Sequence, residues 1–382
     1  MKICLVNLDF GPTRSSGLAV YGETLATGLA REGHQVTVVS SKRDGLPGRD
    51  EIDGVQVYRT ALGRGDWISF AWRAGPLVGE LNRKGHFDVV HFLDAHFAYH
   101  YRSPFVASLF QSFRQRATSE GGLPYHSHWR DLIAKYVYYH SARWLAERPA
   151  VGRADHLLAA SQAAADEFGA HYGVAPQRMT VVPLGIDLGR FQPQDASGLR
   201  RELGLEGMRV LLFVGFGTPR KGLHYLAPAM ARLPADVRLL VVGRWEPAYR
   251  KRFYRLLGPA RDRVIEVGTI PDNMLPRYYA VADLFVFPTL LEGFGLPLAE
   301  SLACSTPVVT TRAGASPEVA GPGGRVVPPR DSAALAEAIE QLLDDASLRR
   351  RLADAGREWV LARFDARRMV SDTLAVYQQF SA

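Results

Sequence analysis

Glu292 and Glu300 flank the stretch Gly293-Phe294-Gly295-Leu296-Pro297-Leu298-Ala299. The residues before them, Ala282 to Phe287, form a short apolar run stopped by Pro288, which predicts a buried parallel strand. Glu292 then falls on a loop. Pro297 suits the first position of a helix, where its missing N–H costs nothing, and this puts Glu300 in the first helical turn. The glycines let the backbone approach a ligand closely. A helix start offers free N–H groups and partial positive charge to a phosphate, while flanking carboxylates accept hydrogen bonds from hydroxyls. Phosphates and hydroxyls in one ligand describe a nucleoside diphosphate sugar.

A second loop carries complementary charge. The apolar run ending at Val214 is followed by Gly215-Phe216-Gly217-Thr218-Pro219-Arg220-Lys221-Gly222. Arginine offers a bidentate fork and lysine a point charge, a pair suited to a diphosphate leaving group. In isolation Arg220 and Lys221 read equally as a solvated pair; their place at the end of a strand favours the ligand. A third loop, Gly11 to Gly17, joins the first strand to a helical pattern carried by Leu18, Tyr21, Leu25 and Leu29. Gly17 allows the loop backbone to meet a pyrophosphate or an acceptor, and a plain tight turn accounts for it as well.

Short apolar strands alternating with helical patterns must position these loops, the signature of an α/β fold with parallel sheets covered on both faces. Strands are expected at 2–7, 35–40, 55–59, 89–92, 105–109, 156–160 and 180–182, then at 210–214, 238–242, 264–267, 284–287 and 307–310. Residues 187–198, with two prolines and turn chemistry but no periodicity, read as an interdomain linker. The pattern from Asp331 to Phe364 is helical, and Asp365 to Gln379 forms a last amphipathic helix. Two doubly wound domains would bind ligands at the carboxyl ends of their strands.

Composition sets bounds on the function. Of 382 residues, 47% are hydrophobic and 22% charged, ordinary for a globular enzyme of two domains. Cys4 and Cys304, far apart in apolar contexts, suggest free thiols in a reducing compartment rather than a disulfide or zinc framework. With no charged leader before the first strand and no apolar run of about 18 residues, the expected address is cytoplasmic. The net charge of +7 is compatible with anionic partners. Nucleic acid is not expected, since no helix-turn-helix, zinc-finger spacing or RNP-type motif occurs. There is no Asp-x-Asp to hold a divalent diphosphate complex, so no metal and no cofactor are expected. Nothing in the sequence bears on oligomeric state.

Glu292 to Glu300 resembles the E-x7-E motif of retaining glycosyltransferases of family four, also described as glycosyl transferases group 1, within Pro288-Thr289, Glu292-Gly293-Phe294-Gly295 and Pro307-Val308-Val309. The likeness extends over nearly the whole chain, through Gly17-Leu18-Ala19, Gly33-His34-Gln35-Val36, Phe87 to His91, Ala160-Ser161, Val182 to Asp187 with Phe191, Lys221-Gly222, and Gly268 through Asp283. It implies the GT-B fold, two Rossmann-like doubly wound domains facing a central cleft. Residues 1–188 would bind the acceptor, 199–364 the donor, and 365–382 would form a helix crossing back to the first domain. It further implies that Glu300 binds the ribose and Glu292 the donor sugar. Backbone N–H groups around Phe294, Gly295 and Leu296 would support sugar and phosphate, with Lys221 and Arg220 on the diphosphate. Retention of configuration rests on the resemblance alone. Four departures stand out. Phe216 replaces an arginine, for which Arg220 is the substitute; Phe110 or Gln111 stands where a histidine is common; Ser16-Gly17 replaces the Gly-Gly of the first loop; Leu184 replaces an asparagine.

The function implied is transfer of a sugar, a hexose in the first instance, from a nucleoside diphosphate sugar to a hydroxyl acceptor without a metal. The alternatives are other GT-B chemistry, such as a disaccharide phosphorylase or sugar-nucleotide epimerase, or a non-catalytic nucleotide-sugar-binding subunit. The acceptor side has one unusual segment, Tyr99 to Arg148, where Arg102, Arg114, Arg116, Arg130, Lys135, Arg143 and Arg148 face only Glu120, Asp131 and Glu147. Trp129, Ile133, Tyr136, Val137, His140 and Trp144 share helical spacing. Core packing would account for that stripe; the sharper reading is an anionic or lipid-linked acceptor met by reversible contact with the inner membrane face. His126 and His128 lack a third ligand at a useful spacing.

Overall fold

The computed structural model describes residues 1–11, 16–43, 45–62, 66–118 and 129–380. Pro12 to Ser15 of the first glycine loop, and His126 and His128, lie outside them. The chain divides into two compact units: Met1–Arg114, Tyr138–Gly185 and Asp365–Ala382 form one, Gln115–Val137 and Ile186–Phe364 the other.

The first unit is built on an eight-stranded sheet: β1 (Lys2–Val6), β2 (Gln35–Lys42), β3 (Arg49–Ile52), β4 (Val55–Ala61), β5 (Val89–Phe92), β6 (Val106–Leu109), β7 (His156–Ala159) and β8 (Met179–Val181). Their order is β3-β4-β2-β1-β5-β6-β7-β8. All pairs are parallel except β3 with β4. Strands β5, β6 and β7 are buried along their whole length, as a parallel sheet with helices on both faces requires. The second unit holds a six-stranded parallel sheet in the order β11-β10-β9-β12-β13-β14: β9 (Arg209–Val214), β10 (Val237–Val242), β11 (Val264–Gly268), β12 (Leu284–Phe287), β13 (Val308–Thr311) and β14 (Gly324–Val327). In this order β9 and β12 are neighbours, so the loops carrying Lys221 and Glu292 leave adjacent strands.

Each expected strand is present within one or two residues of its expected ends. Two strands were not anticipated. β3 is the charged tetrapeptide Arg-Asp-Glu-Ile, without an apolar run, and is held against β4 by a turn at Asp53 (φ 49°) and Gly54 (φ 79°). β14 is short and follows a Gly-Pro-Gly turn. The helical stretch expected from Asp331 to Phe364 is two helices, Ser332–Asp344 and Ala346–Arg363. Between them the Asp345 carboxylate accepts from Leu348 N (2.8 Å), starting the second. Residues 187–198 are not a free linker. Asp187 Oδ1 accepts from Gly189 N and Arg190 N, Arg190 reaches the carbonyl of Asp272, and Phe191 is buried beside Tyr279. The segment therefore folds as part of the second unit.

The last helix, Ala366–Tyr377, packs on the helix Gly17–Arg31 of the first unit. A Cβ at Gly28 would meet Val370 Cγ2 at 2.5 Å. Its end is tied to the sheet by a buried chain of hydrogen bonds: Tyr377 Oη to His91 Nδ1 (2.6 Å), His91 Nε2 to Ser108 Oγ (2.8 Å), and Ser108 Oγ to Tyr21 Oη (3.1 Å). Burial pushes the His91 pKa down to about 3, so the ring is neutral, with one nitrogen donating and the other accepting. Among the described residues no helix is long and apolar enough to cross a membrane.

Gly185 lies where this helix begins. A Cβ there would stand 2.4 Å from Ala366 Cα, which is backbone and cannot turn aside. Gly185→Ala is therefore expected to cost about 1–3 kcal/mol, read as a lower urea midpoint at unchanged slope. An unchanged midpoint would contradict this close approach.

Candidate active site

The candidate residues of the second unit lie on loops and helices at the carboxyl ends of β9 and β12. After β9, Thr218 to Lys221 make a single 3₁₀ turn ending at Gly222 in a left-handed conformation (φ 68°). Only glycine fits there, since a Cβ would stand 1.8 Å from the carbonyl oxygen of Pro288, just past β12. The two loops are then stitched together. Leu290 N donates to Arg220 O (2.8 Å), Thr289 Oγ1 reaches Arg220 O and Leu291 O (both 3.2 Å), and Arg220 Nη1 donates to Leu291 O (3.0 Å). On the other side, Ala315 N donates to Glu292 O, and Gly314 (φ 53°) leaves room for that carbonyl.

This scaffold brings Lys221, Arg220 and Glu292 together. Lys221 Nζ donates to Glu292 Oε2 at 2.6 Å and lies 4.4 Å from the centre of the Phe287 ring; Arg220 Nη1 is 3.5 Å from the same oxygen. Lys221 is 7% exposed. Burial, aided by the Arg220 charge, pushes its pKa down to about 8 even though Glu292 favours the charged form. Burial alone would raise the Glu292 carboxyl, but Lys221, Arg220 and the Gly293 N–H together hold it below the usual range. One carboxylate faces two cations, leaving net positive charge at the ends of two strands.

Glu300 lies in a different setting. The helix that carries it, Leu296–Ala303, starts one residue earlier than Pro297 suggests. Pro297 takes the second position and Glu300 the second turn rather than the first. Gly295 (φ 101°) makes the turn into the helix, and Leu298 N donates to its carbonyl (2.9 Å). Phe294 turns its ring inward onto Phe364 (centroids 5.3 Å apart), so only its backbone is available to a ligand. Glu300 is buried, and Tyr279 Oη donates to its Oε2 at 2.7 Å. Burial raises its pKa to about 7, against the opposing effects of the Tyr279 hydrogen bond and the Arg190 charge.

Arg190 and Tyr279 were missed by sequence reasoning. Arg190 sits in the stretch read as a linker, where the only sign was a cation beside Phe191. Tyr279 belongs to the helix Leu275–Val281, where a buried hydroxyl needing a partner was the one available signal. Phe216 is exposed at 53%. Gly217, beside it, is pressed against Trp245 and bonded through its N–H to Arg244 O (2.7 Å).

In the first unit, Gly17 opens the helix Gly17–Arg31, with Ser16 Oγ accepting from Ala19 N as its cap. Phe110, one of the two residues standing where the resemblance expects a histidine, packs edge-on against Tyr21 (5.6 Å), and Leu184 is core. Among the described residues no group of three or more His, Cys, Asp or Glu could hold a metal.

Comparisons with known proteins agree across the chain. The family described as "Glycosyl transferases group 1" matches residues 197–359, and "Glycosyltransferase Family 4" matches residues 15–190. An MMP alpha-(1->4)-mannosyltransferase of Mycolicibacterium hassiacum is 28% identical, over 99% of this chain and 98% of that protein. A D-inositol 3-phosphate glycosyltransferase of Acidothermus cellulolyticus is 30% identical, over 86% and 78%. Among solved structures, sucrose-phosphate synthase from Thermosynechococcus elongatus superposes with a TM-score of 0.82 at 24% identity, covering 99% and 98%.

The Glu300 environment has a signed consequence. Its folded pKa of about 7 lies above the ordinary 4.5, so between those values the folded state binds more protons than the unfolded, and stability falls as pH rises through the window. Compared with Glu300→Gln, the native chain is expected to lose about 3 kcal/mol of unfolding free energy from pH 4.5 to pH 7. Parallel stability curves for the two proteins would contradict the assignment.

Proposed function

We propose, on the premise that this chain belongs to the glycosyltransferases of group 1 and family 4 and has their GT-B fold, that its second unit binds a nucleoside diphosphate sugar for transfer to a hydroxyl. The observation that carries this is the charge cluster at the ends of β9 and β12, where buried Lys221 and half-buried Arg220 together outweigh the single carboxylate of Glu292. A diphosphate supplies the missing negative charge. Departure of the nucleoside diphosphate builds charge on the phosphates as the sugar becomes oxocarbenium-like. Cations fixed beforehand stabilise that state without reorganising at the moment of reaction.

In this reading Lys221 and Arg220 bind the diphosphate. Glu292, held ionised by the same cations, accepts from hydroxyls of the donor sugar. Glu300 accepts from the ribose, with Tyr279 fixing its carboxyl. The N–H groups of Phe294, Gly295 and Leu296 at the helix start support sugar and phosphate. The glycine loop at Gly17 serves donor or acceptor from the first unit. Transfer proceeds with retention and without a divalent ion; the family supports the first, and the absence of an Asp-x-Asp pair supports the second. The acceptor is a hydroxyl of an anionic or lipid-linked molecule. The basic, aromatic segment from Tyr99 to Arg148 supports that choice, as does a relative whose name specifies D-inositol 3-phosphate.

Thermal shift with UDP-, GDP- and ADP-sugars identifies the donor, since a ligand at 100 times its Kd stabilises the native state by about 2.7 kcal/mol. With that donor, Lys221→Ala is expected to lower turnover on the order of 100- to 1000-fold, and EDTA to leave the wild-type rate unchanged. Near-native turnover in Lys221→Ala would overturn the diphosphate assignment. Loss of activity in EDTA, restored by a divalent ion, would overturn metal independence.

A further inference from the structure

Arg190 is held more firmly than a surface arginine needs to be. Its backbone N–H and that of Gly189 donate to Asp187 Oδ1, and Phe191 N donates to Asp187 O (2.8 Å), so the chain is fixed on both sides of it. The half-buried side chain lies over the Phe191 ring, 4.6 Å from its centre, and Nη2 donates to the carbonyl of Asp272 at 2.7 Å. Nε is buried and has no partner. Burying a guanidinium nitrogen without a bond costs free energy, so this side chain is not placed for its own stability.

Its neighbours show what the placement achieves. Asp272 begins the single 3₁₀ turn Asp272–Met274, in the segment leaving the carboxyl end of β11, and ligands of an open parallel sheet bind beyond such ends. Phe191 packs edge-on against Tyr279 (6.2 Å), whose hydroxyl donates to Glu300 (2.7 Å). Arg190 therefore ties the turn after β11 to the Tyr279–Glu300 pair. It also acts on the carboxyl through charge. Burial raises the Glu300 pKa and Asp272 adds to the rise, while the Tyr279 hydrogen bond and the Arg190 charge oppose it. Tyr279 and Cys304, the other ionisable groups beside Glu300, are buried and keep their protons. Arg357, from the helix Ala346–Arg363, donates to the carbonyl of Ala303. The cation acting on Glu300 is thus Arg190. A ribose offers hydroxyls but no charge, so a buried carboxylate that accepts from them must be kept ionised by the protein itself.

We infer that Arg190 is a positioning residue for the nucleoside of the donor: it holds the turn after β11 beside Glu300 and keeps that carboxylate available to ribose hydroxyls. The inference rests on the reading of Glu300 as the ribose-binding residue. The test is calorimetric binding of UDP, GDP and ADP, of the 2′,3′-dideoxy form of whichever binds, and of inorganic pyrophosphate. The full chain is compared with Arg190→Gln and Arg190→Lys at about pH 7 and about pH 9. The wild type is expected to prefer the ribose form by about tenfold or more. Arg190→Gln should lose most of that preference at pH 7 and regain part of it at pH 9, where Glu300 ionises without help. Arg190→Lys, which keeps the charge, should retain part of it at both. Pyrophosphate, which engages only the Lys221 cluster, should bind both variants within about twofold of the wild type at each pH, which verifies folding and corrects for the titration of Lys221. A wild type indifferent to the ribose hydroxyls overturns the reading of Glu300 and this inference with it. A wild type that discriminates, with Arg190→Gln discriminating equally at pH 7, overturns the inference alone. So does a loss in Arg190→Gln that is the same at both pH values and unrelieved in Arg190→Lys.

Discussion

Burying Lys221 beside Glu292 removes two charges from water, a step that costs several kcal/mol per ion unless the partner is held at hydrogen-bond distance and its other lone pairs are satisfied. Much of the second unit meets that demand. The crossover that makes β9 and β12 neighbours brings the loops together. Gly222 lets the Lys221 loop settle on the carbonyl of Pro288, and Gly314 does the same for Glu292. Thr289 and Arg220 tie the two loops through backbone carbonyls. These glycines act through space, each leaving room for a specific carbonyl oxygen, and their value is the geometry of one ion pair.

The surroundings of the two glutamates of the E-x7-E stretch shift their pKa values in opposite directions. Glu292 lies beside two cations and stays ionised below the usual range, whereas Glu300 lies deep in its helix with a tyrosine hydroxyl as close partner and is shifted upward to about 7. Carboxylates whose environments separate their pKa values in this way suit different tasks. An ionised Glu292 can accept from sugar hydroxyls while keeping Lys221 charged despite its burial. Glu300 can gain a proton near neutrality, so ligand hydroxyls that need the carboxylate would draw it into the charged form.

Much of this was legible in the sequence because the signals were local. Apolar runs such as Leu284–Phe287 and Val89–Phe92 coincide with their strands, since a buried parallel strand needs nothing else. Glycine and proline marked the loops, and residue type marked Lys221, Arg220, Glu292 and Glu300. What escaped depended on contacts distant in sequence or on pairing. β3 is a strand because β4 offers an edge and Asp53-Gly54 a turn, not because its own residues favour one. Tyr279 bonds to Glu300, and the charge of Arg190 acts on it, only after three separate segments fold together. The stripe from Ile133 to Trp144 shows the opposite lesson: helical spacing identified the face, but spacing alone does not say whether its residues point inward, and Ile133, Tyr136, Val137 and Trp144 are exposed.

The direct measure of how far Lys221 and Glu292 act as one unit is a double-mutant cycle on nucleoside diphosphate affinity, using Lys221→Met, Glu292→Gln and the combination, measured by calorimetry. A shared site predicts that the double substitution departs from the sum of the singles by roughly 1–3 kcal/mol, because each residue sets the charge and position of the other. Additivity within about 0.5 kcal/mol would mean that the pair seen at 2.6 Å does not organise the donor site, and would contradict the reading built on it.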